Sequence, residues 1–532
     1  LVRWLSSLLL ILLAAACAPD AFTSQEAART TDRLIYGLTL QPSGFDPHIH
    51  ASSELGIPLR QVYDTLIYRD PVTREFVAGL AREWSVSPDG LVYTFNLRQD
   101  VVFHDGNRFN AQAVAANLER ILAPETGSQR AVFLLGPFAR YELVDEFTIR
   151  IILAEPYAPL LDSLSQVYLG MASPSALQAY SADRYQFHQV GTGPYRFVEY
   201  IPGDRLVLRK NTAYAWGPAF YPQDLSAAPD EIEFRFFTDP PTRTLALESG
   251  DVHIIGEIPP RDARALSAEG RFELVPVNIP GQPLQFLFNT RQYPTDNVLV
   301  RQALLYATNR SEIIDTVFQR FSPIAWGPLA AATPFFNSNL IGIYSYDSNR
   351  ARSLLAEAGF TDTDENGFLE FGGAELTITV IVPPWGQIPE VAQFLQDQWR
   401  DVGIRTILNP VPSRSTLIEA VNAGGYNLVA FYEFGTDPSF LTRYFSTDGV
   451  NNWSRFSDPR LDQLLLDAER AQDLNARFGL YSQAQQLIME QALILPVRDY
   501  VNLNAAAPNV SGLAYDAYGW FPLIPALSFS AN

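Results

Sequence analysis

Residues 191–211 read GTGPYRFVEYIPGDRLVLRKN, from Gly191 to Asn211. A Gly-Pro turn opens the stretch, an extended run follows, Gly203-Asp204 supplies a tip, and a second apolar-alternating run returns. That pattern predicts a β-hairpin entered through a tight turn. Outward from it, strand and helix signals alternate along most of the chain, which indicates an α/β protein with helices covering sheets. Strands are expected at Leu34–Leu40, Leu91–Leu97, Leu284–Phe288, Leu376–Val382, Ile404–Leu408 and Leu428–Tyr432. The turn Ser87-Pro88-Asp89-Gly90 makes the second of these close a hairpin. Helices are expected at Ala111–Leu122 behind an Asn110 cap, and after Asp239-Pro240-Pro241 up to Gly250. Others are expected from Asp296, over Glu390–Val402, over Arg460–Ala471 and, with Asp473 as cap, over Leu474–Glu490.

The chain has 532 residues, of which 47% are hydrophobic and 18% charged. That is globular material, long enough for at least two cores. A net charge of −20 argues against a nucleic-acid partner, because phosphate backbones select basic faces. Lys210 is the one lysine, a bias from which no function follows. Cys17 is the one cysteine, so neither an internal disulfide nor a thiolate metal cluster is available. The five histidines, His48, His50, His104, His188 and His253, show no HExxH spacing. No G-x-S-x-G elbow or P-loop is present, and the reading is of a protein that is not an enzyme, with no catalytic residues, cofactor or metal.

Arg3 precedes an apolar run, Leu5 to Ala16, that ends at Ala14-Ala15-Ala16-Cys17. It is shorter than the ~20 residues a bilayer span takes, and reads as a signal peptide with a small-residue cleavage site. The arrangement resembles a bacterial lipobox, although Ala14 stands where leucine is usual. An ordinary secretory signal with an incidental cysteine is the alternative. Lipidation at Cys17 would give a membrane-anchored protein of the cell envelope, periplasmic or extracytoplasmic, with 18–32 as a tether.

Several segments, in order, resemble the family 5 extracellular solute-binding proteins, which serve ABC transporters for oligopeptides, dipeptides and nickel chelates. They are Gly44-Phe45-Asp46-Pro47, Gln61 to Leu66 (with Tyr63-Asp64), Leu80-Ala81-Arg82-Glu83-Trp84 and Tyr93 to Arg98. Phe103-His104-Asp105-Gly106 and Asn110 to Val114 follow. Then come Gly191 to Tyr195 with Arg209-Lys210-Asn211 and Tyr214, Phe288-Asn289 with Val300 to Leu304, Arg352 to Gly359, and Asp458-Pro459. Each is weak alone; their order over residues 34 to 500 is not.

The resemblance implies a periplasmic-binding-protein type II clamp, two lobes with an extra middle subdomain. Lobe I would comprise 33–57, 186–283 and 504–532, the middle subdomain 58–185, and lobe II 284–503. It also implies a monomer that captures a peptide-like or other solute and delivers it to permease transmembrane subunits. A ligand-sensing or chaperone-like lipoprotein with the same clamp is the rival reading. In peptide-binding relatives an aspartate four residues before the proline of Thr436-Asp437-Pro438 holds the ligand's α-ammonium; here Phe434 stands there. Glu433 is adjacent, and in a strand would face the opposite way. The expected ligand-binding residues are Tyr432, Glu433, Phe434, Asp437, Trp385 beyond a strand end, and His50, Ser52 and Ser53 by position in the family.

Two motifs admit bland readings. Gly191 to Pro194 could cradle an anion, but is read as a structural turn. Asp362, Asp364, Asn366 and Gly367 imitate a calcium loop, yet the twelfth position is Gly373, so a plain Asx-rich turn is expected.

Overall fold

The computed structural model describes residues 32–39, 43–52 and 54–530. Cys17, the 1–17 leader, the tether up to Thr31 and the site candidate Ser53 lie outside the described residues. The hairpin forms as Tyr195–Ile201 paired antiparallel with Arg205–Lys210. The turn before it lies on the end of the helix Gly56–Val62, where Gly193 N donates to the Val62 carbonyl at 2.9 Å. A Cβ on Gly191 would fall 2.0 Å from that oxygen, so only glycine permits the approach. Beside it the buried Asp64 accepts from Tyr68 (2.6 Å), Thr192 (2.9 Å), Tyr214 (2.9 Å) and Trp216 (3.1 Å). Four donors on one enclosed carboxyl make this turn a structural joint.

The hairpin edges a seven-stranded sheet with the order Glu273–Asn278, Val501–Ala506, Ile254–Ile255, Arg33–Leu38, Glu231–Phe236, Arg205–Lys210, Tyr195–Ile201. A five-stranded sheet runs Arg405–Pro410, Thr377–Val382, Leu428–Phe431, Leu284–Phe288, Ile494–Arg498. Between residues 81 and 153 a four-stranded antiparallel sheet forms from Ala81–Val86, Val92–Leu97, Thr148–Leu153 and Phe138–Asp145. One apolar core runs without a break from the seven-stranded sheet (Leu34, Leu208, Ile232) into the four-stranded one (Phe95, Ile149). The five-stranded sheet has its own core around Phe286, Val380, Trp399 and Ile494. A third, smaller cluster around Leu247, Ile255, Leu266 and Leu503 lies on the seven-stranded sheet, and Phe434 and Phe321 from the other side of the molecule pack against the first and third clusters.

The chain crosses between the two larger cores at Ile279–Gly281 and between Arg498 and Val501. The partition above puts the return at 503/504. The pairing puts all of Val501–Ala506 in the first lobe's sheet, which moves the crossing to 499–500.

Local signals set the helices. Asn110 accepts from Ala113 N, Asp239 from Thr242 N and Asp473 from Ala476 N, each satisfying an orphan amide of the first turn. Two helices shift from expectation: Asn297, not Asp296, caps Val298–Tyr306, and Ile388–Arg400 starts earlier than Glu390 because Pro389 suits a first turn. Among the described residues no helix is long and apolar enough to cross a membrane.

Candidate functional site

A cavity of about 700 Å³ opens between the two larger cores. Residues 431–444, Arg414, Asn451 and Glu469 wall it on one side, residues 129–134 and 157–168 on another, with Ala51, Ser52 and Glu54, and Tyr518, Trp520 and Phe521 closing the rest. The walls touch beside it. Thr436 Oγ1 donates to Asp162 Oδ1 at 2.5 Å, Ala158 N to the Glu469 carbonyl at 2.8 Å, and Arg470 pairs with Glu155 at 2.5 Å. These contacts bridge the walls at one edge of the cavity.

Phe434 is positioned by backbone geometry. The strand Leu428–Phe431 ends one residue sooner than expected, and Phe434 forms an isolated bridge with Gly281 at the lobe crossing. Gly281 has φ +134°, and a Cβ there would lie 2.4 Å from the Glu433 carbonyl oxygen. Both Glu433 and Phe434 lie past the strand end, so strand alternation does not govern them, and both line the cavity. The Phe434 ring meets Tyr500 at 4.8 Å, Trp520 at 5.1 Å and Tyr432 at 5.2 Å between centroids, an aromatic wall built by both lobes.

Three carboxylates at this corner, those of Glu433, Asp437 and Asp162, are paired within the protein. Glu433 pairs with Arg443 and accepts from the Tyr444 hydroxyl at 3.0 Å. Asp437 takes a bidentate pair from Arg477, at 2.8 and 3.0 Å, with both side chains buried. Burial opposes ionisation of Asp437, but the Arg477 guanidinium outweighs it and holds the carboxyl below its ordinary value. Asp162 is pushed up by burial, against the pull of Arg69 at 2.9 Å. Glu469, also on the wall, is pushed up by burial and has no ion pair among the described residues.

Of the expected ligand residues, the structure brings Ser52, Tyr432, Glu433, Phe434 and Asp437 to one cavity. It does not bring His50 or Trp385 there. His50 Nδ1 sits 3.2 Å from Ser43 Oγ, with its ring over Gly44, and Trp385 packs on the second lobe's core just before the helix Ile388–Arg400. Arg130, Asp162, Glu469 and Trp520 were not singled out. They come from segments distant in the sequence, which no local pattern joins. The Gly191–Pro194 turn and His104 lie outside this wall; His104 Nε2 is 2.9 Å from the Gly193 carbonyl, and burial lowers its pKa to about 4. Asp362 and Asp364 meet Glu370, not Gly373, but Glu370 accepts from Thr363 N and Oγ1 and Asp362 from Gly367 N, as in an ordinary Asx turn.

The description "Bacterial extracellular solute-binding proteins, family 5 Middle" matches residues 75–452. The chain belongs to that family. Family 5 proteins of this kind are solute-binding components of ABC importers, periplasmic or extracytoplasmic, and are transport binding proteins and not enzymes. This family 5 chain is 29% identical to the glutathione-binding protein GsiB of Salmonella typhi over 451 residues, 81% of this chain and 82% of that one. It is 27% identical to heme-binding protein A of Haemophilus influenzae over 544 residues, 96% of each. Its fold matches that of NikA from Brucella suis, solved with Fe(III)-EDTA, with a TM-score of 0.83 at 24% identity, covering 94% of this chain and 100% of NikA. DppA from Helicobacter pylori, solved with the peptide STSA, matches with a TM-score of 0.73 at 24% identity, over 94% and 98%.

Proposed function

We propose that this family 5 protein is lipid-anchored through Cys17 and captures a small to medium solute that need not carry an α-ammonium group. The observation that supports it is the corner at Phe434. A buried ammonium needs a carboxylate partner, since an unpaired buried charge is costly. Phenylalanine fills the position that holds an aspartate in peptide-binding relatives. The two neighbouring carboxylates, Glu433 and Asp437, are held by Arg443 and Arg477. An aromatic face offers a cation only ~0.5–2 kcal/mol. Surfaces of Tyr432, Phe434 and Trp520 suit stacking of a flat or apolar solute: a blocked or unusual peptide, a sugar, or a chelate of the kind bound by the relatives above. Ser52 and the committed carboxylates would contribute shape and hydrogen bonding.

Capture is reversible and non-covalent, and the closed form is delivered to the permease. Native mass spectrometry of the purified protein tests this, because a co-purifying solute reports its own mass. A solute with a free α-ammonium paired to Glu469 would contradict the reading. The anchor is tested by fractionation: Cys17→Ser should release the protein from washed membranes, and full retention would contradict lipidation.

A further inference from the structure

Behind the aromatic wall lies a second chamber of about 200 Å³, lined from both lobes. Tyr500 separates the two spaces, packing on Phe434 in front and lining the rear chamber behind. Arg243 reaches the chamber from the helix Pro240–Ser249 of the first lobe, and Arg498 from the end of the strand Ile494–Arg498 of the second. Their exposures are 2% and 3%, and neither has an ion pair among the described residues. Arg243 Nη2 donates to the Glu257 carbonyl at 3.0 Å and Arg498 Nη1 to Ser322 Oγ at 3.1 Å, but the Nε of each has no hydrogen-bond partner. The Arg498 guanidinium is fixed between the rings of Phe318 (4.2 Å) and Tyr500 (4.3 Å). Neither guanidinium has a carboxylate at ion-pair distance among the described residues. Glu257 faces Arg243 and Asp499 adjoins Arg498, but burial pushes both carboxyls up to about 7. The chamber therefore carries an excess of positive charge that an anion would neutralise.

We propose that this rear chamber is an anion subsite, taking a carboxylate or phosphate group between Arg243 of one lobe and Arg498 of the other, so that the anion ties the lobes together in the closed state. The fork of a guanidinium suits such two-oxygen groups, and stacking on two rings removes most of the entropy cost of orienting it. The Glu257 carboxyl also lines the chamber and would oppose an anion if ionised. Burial and the nearby Glu54 push it up to about 7, so it carries little charge in mildly acidic solution. The proposal rests on the two-lobe clamp described above, and the anion has two possible sources: the far end of the captured solute, or a separate small anion.

Selenate is the probe. Crystals soaked in selenate should show an anomalous peak between Arg243 and Arg498. In solution, selenate at constant ionic strength should raise Tm saturably over a chloride control. Arg243→Gln and Arg498→Gln should each weaken that effect about tenfold or more. An empty chamber in the wild type, or saturable binding unchanged in both variants, would overturn the proposal, and the crystal result decides it even if a variant fails to fold. If the protein's own solute displaces selenate, the solute supplies the anion; if both bind together, the anion is separate. Solute binding in the front cavity with the chamber still empty sinks this proposal and leaves the function proposed above intact.

Discussion

The Phe434 corner of the front cavity and the rear chamber lie on opposite sides of one aromatic wall and differ in how their arginines are paired. At the front corner Arg443 is paired with Glu433 and Arg477 with Asp437, and Arg69 pairs with Asp162. Arg130 and Arg414 on the same wall have no ion pair among the described residues and lie over the rings of Tyr168 and Phe431. Behind, Arg243 and Arg498 are more deeply enclosed than Arg443 and have no ion pair among the described residues, although the carboxyls of Glu257 and Asp499 lie near them. The difference teaches where recognition charge is available. Charge already paired within the protein shapes a wall and holds loops, while charge left unpaired in an enclosed polar space is free to meet a ligand.

Stability separates the two regions most strongly. Arg477→Gln strands the buried Asp437 and should cost ~3–5 kcal/mol. Arg498→Gln breaks no ion pair, only a charge interaction with Asp499, and should cost ~1–2 kcal/mol, from lost ring stacking and one hydrogen bond. Denaturant midpoints of the two variants check the contrast. Equal losses would mean that Arg498 is balanced by a charge as Arg477 is, and the comparison would break.

A pH series sharpens it next. Folded Glu257 titrates at about 7 against 4.5 when unfolded, so the native state holds the extra proton between those values. Its stabilising contribution is fully present below 4.5 and is lost as pH rises through about 7. Glu257→Gln should therefore show a smaller fall in stability from pH 5 to pH 8 than the parent, by ~2 kcal/mol, discounted from the full effect because the group borders a solvated chamber. His48 and His104, lowered to about 4 by burial, act in the opposite sense but are common to both proteins. Identical pH profiles would show that Glu257 ionises freely.

Much of the frame was legible because its causes are local. Asn110, Asp239, Gly250 and Asp473 announce helix ends through hydrogen bonds spanning a few residues, and the hairpin after Gly191 is set by its own turn. The cavity was legible only in part. Phe434 and its neighbours could be named from position in the family, but their facing depends on a bridge to Gly281, more than 150 residues away. The return crossing at 499–500 follows from pairing between Val501–Ala506 and Glu273–Asn278, which no local pattern encodes. Arg243 reads as an unremarkable cation on a helix, and nothing in the sequence marked Arg498, until the fold places them in one chamber.

A smaller effect probes the front corner. Arg443 is half-exposed, so Arg443→Gln should change stability by no more than ~1 kcal/mol. It releases Glu433, however, and should raise affinity for ammonium-bearing peptides several-fold while leaving uncharged solutes unaffected. Unchanged peptide affinity in calorimetry would mean that Glu433 is held by Tyr444 alone.

Calorimetry of the unmodified protein against di- to pentapeptides, each with a free and an N-acetylated terminus, tests the central claim most directly. The account predicts that acetylation changes affinity little for any peptide that binds, because no carboxylate waits for the ammonium at the Phe434 corner. Tight binding of ordinary peptides, abolished by acetylation, would contradict it and would assign the ammonium to another carboxylate on the wall, Glu469 first.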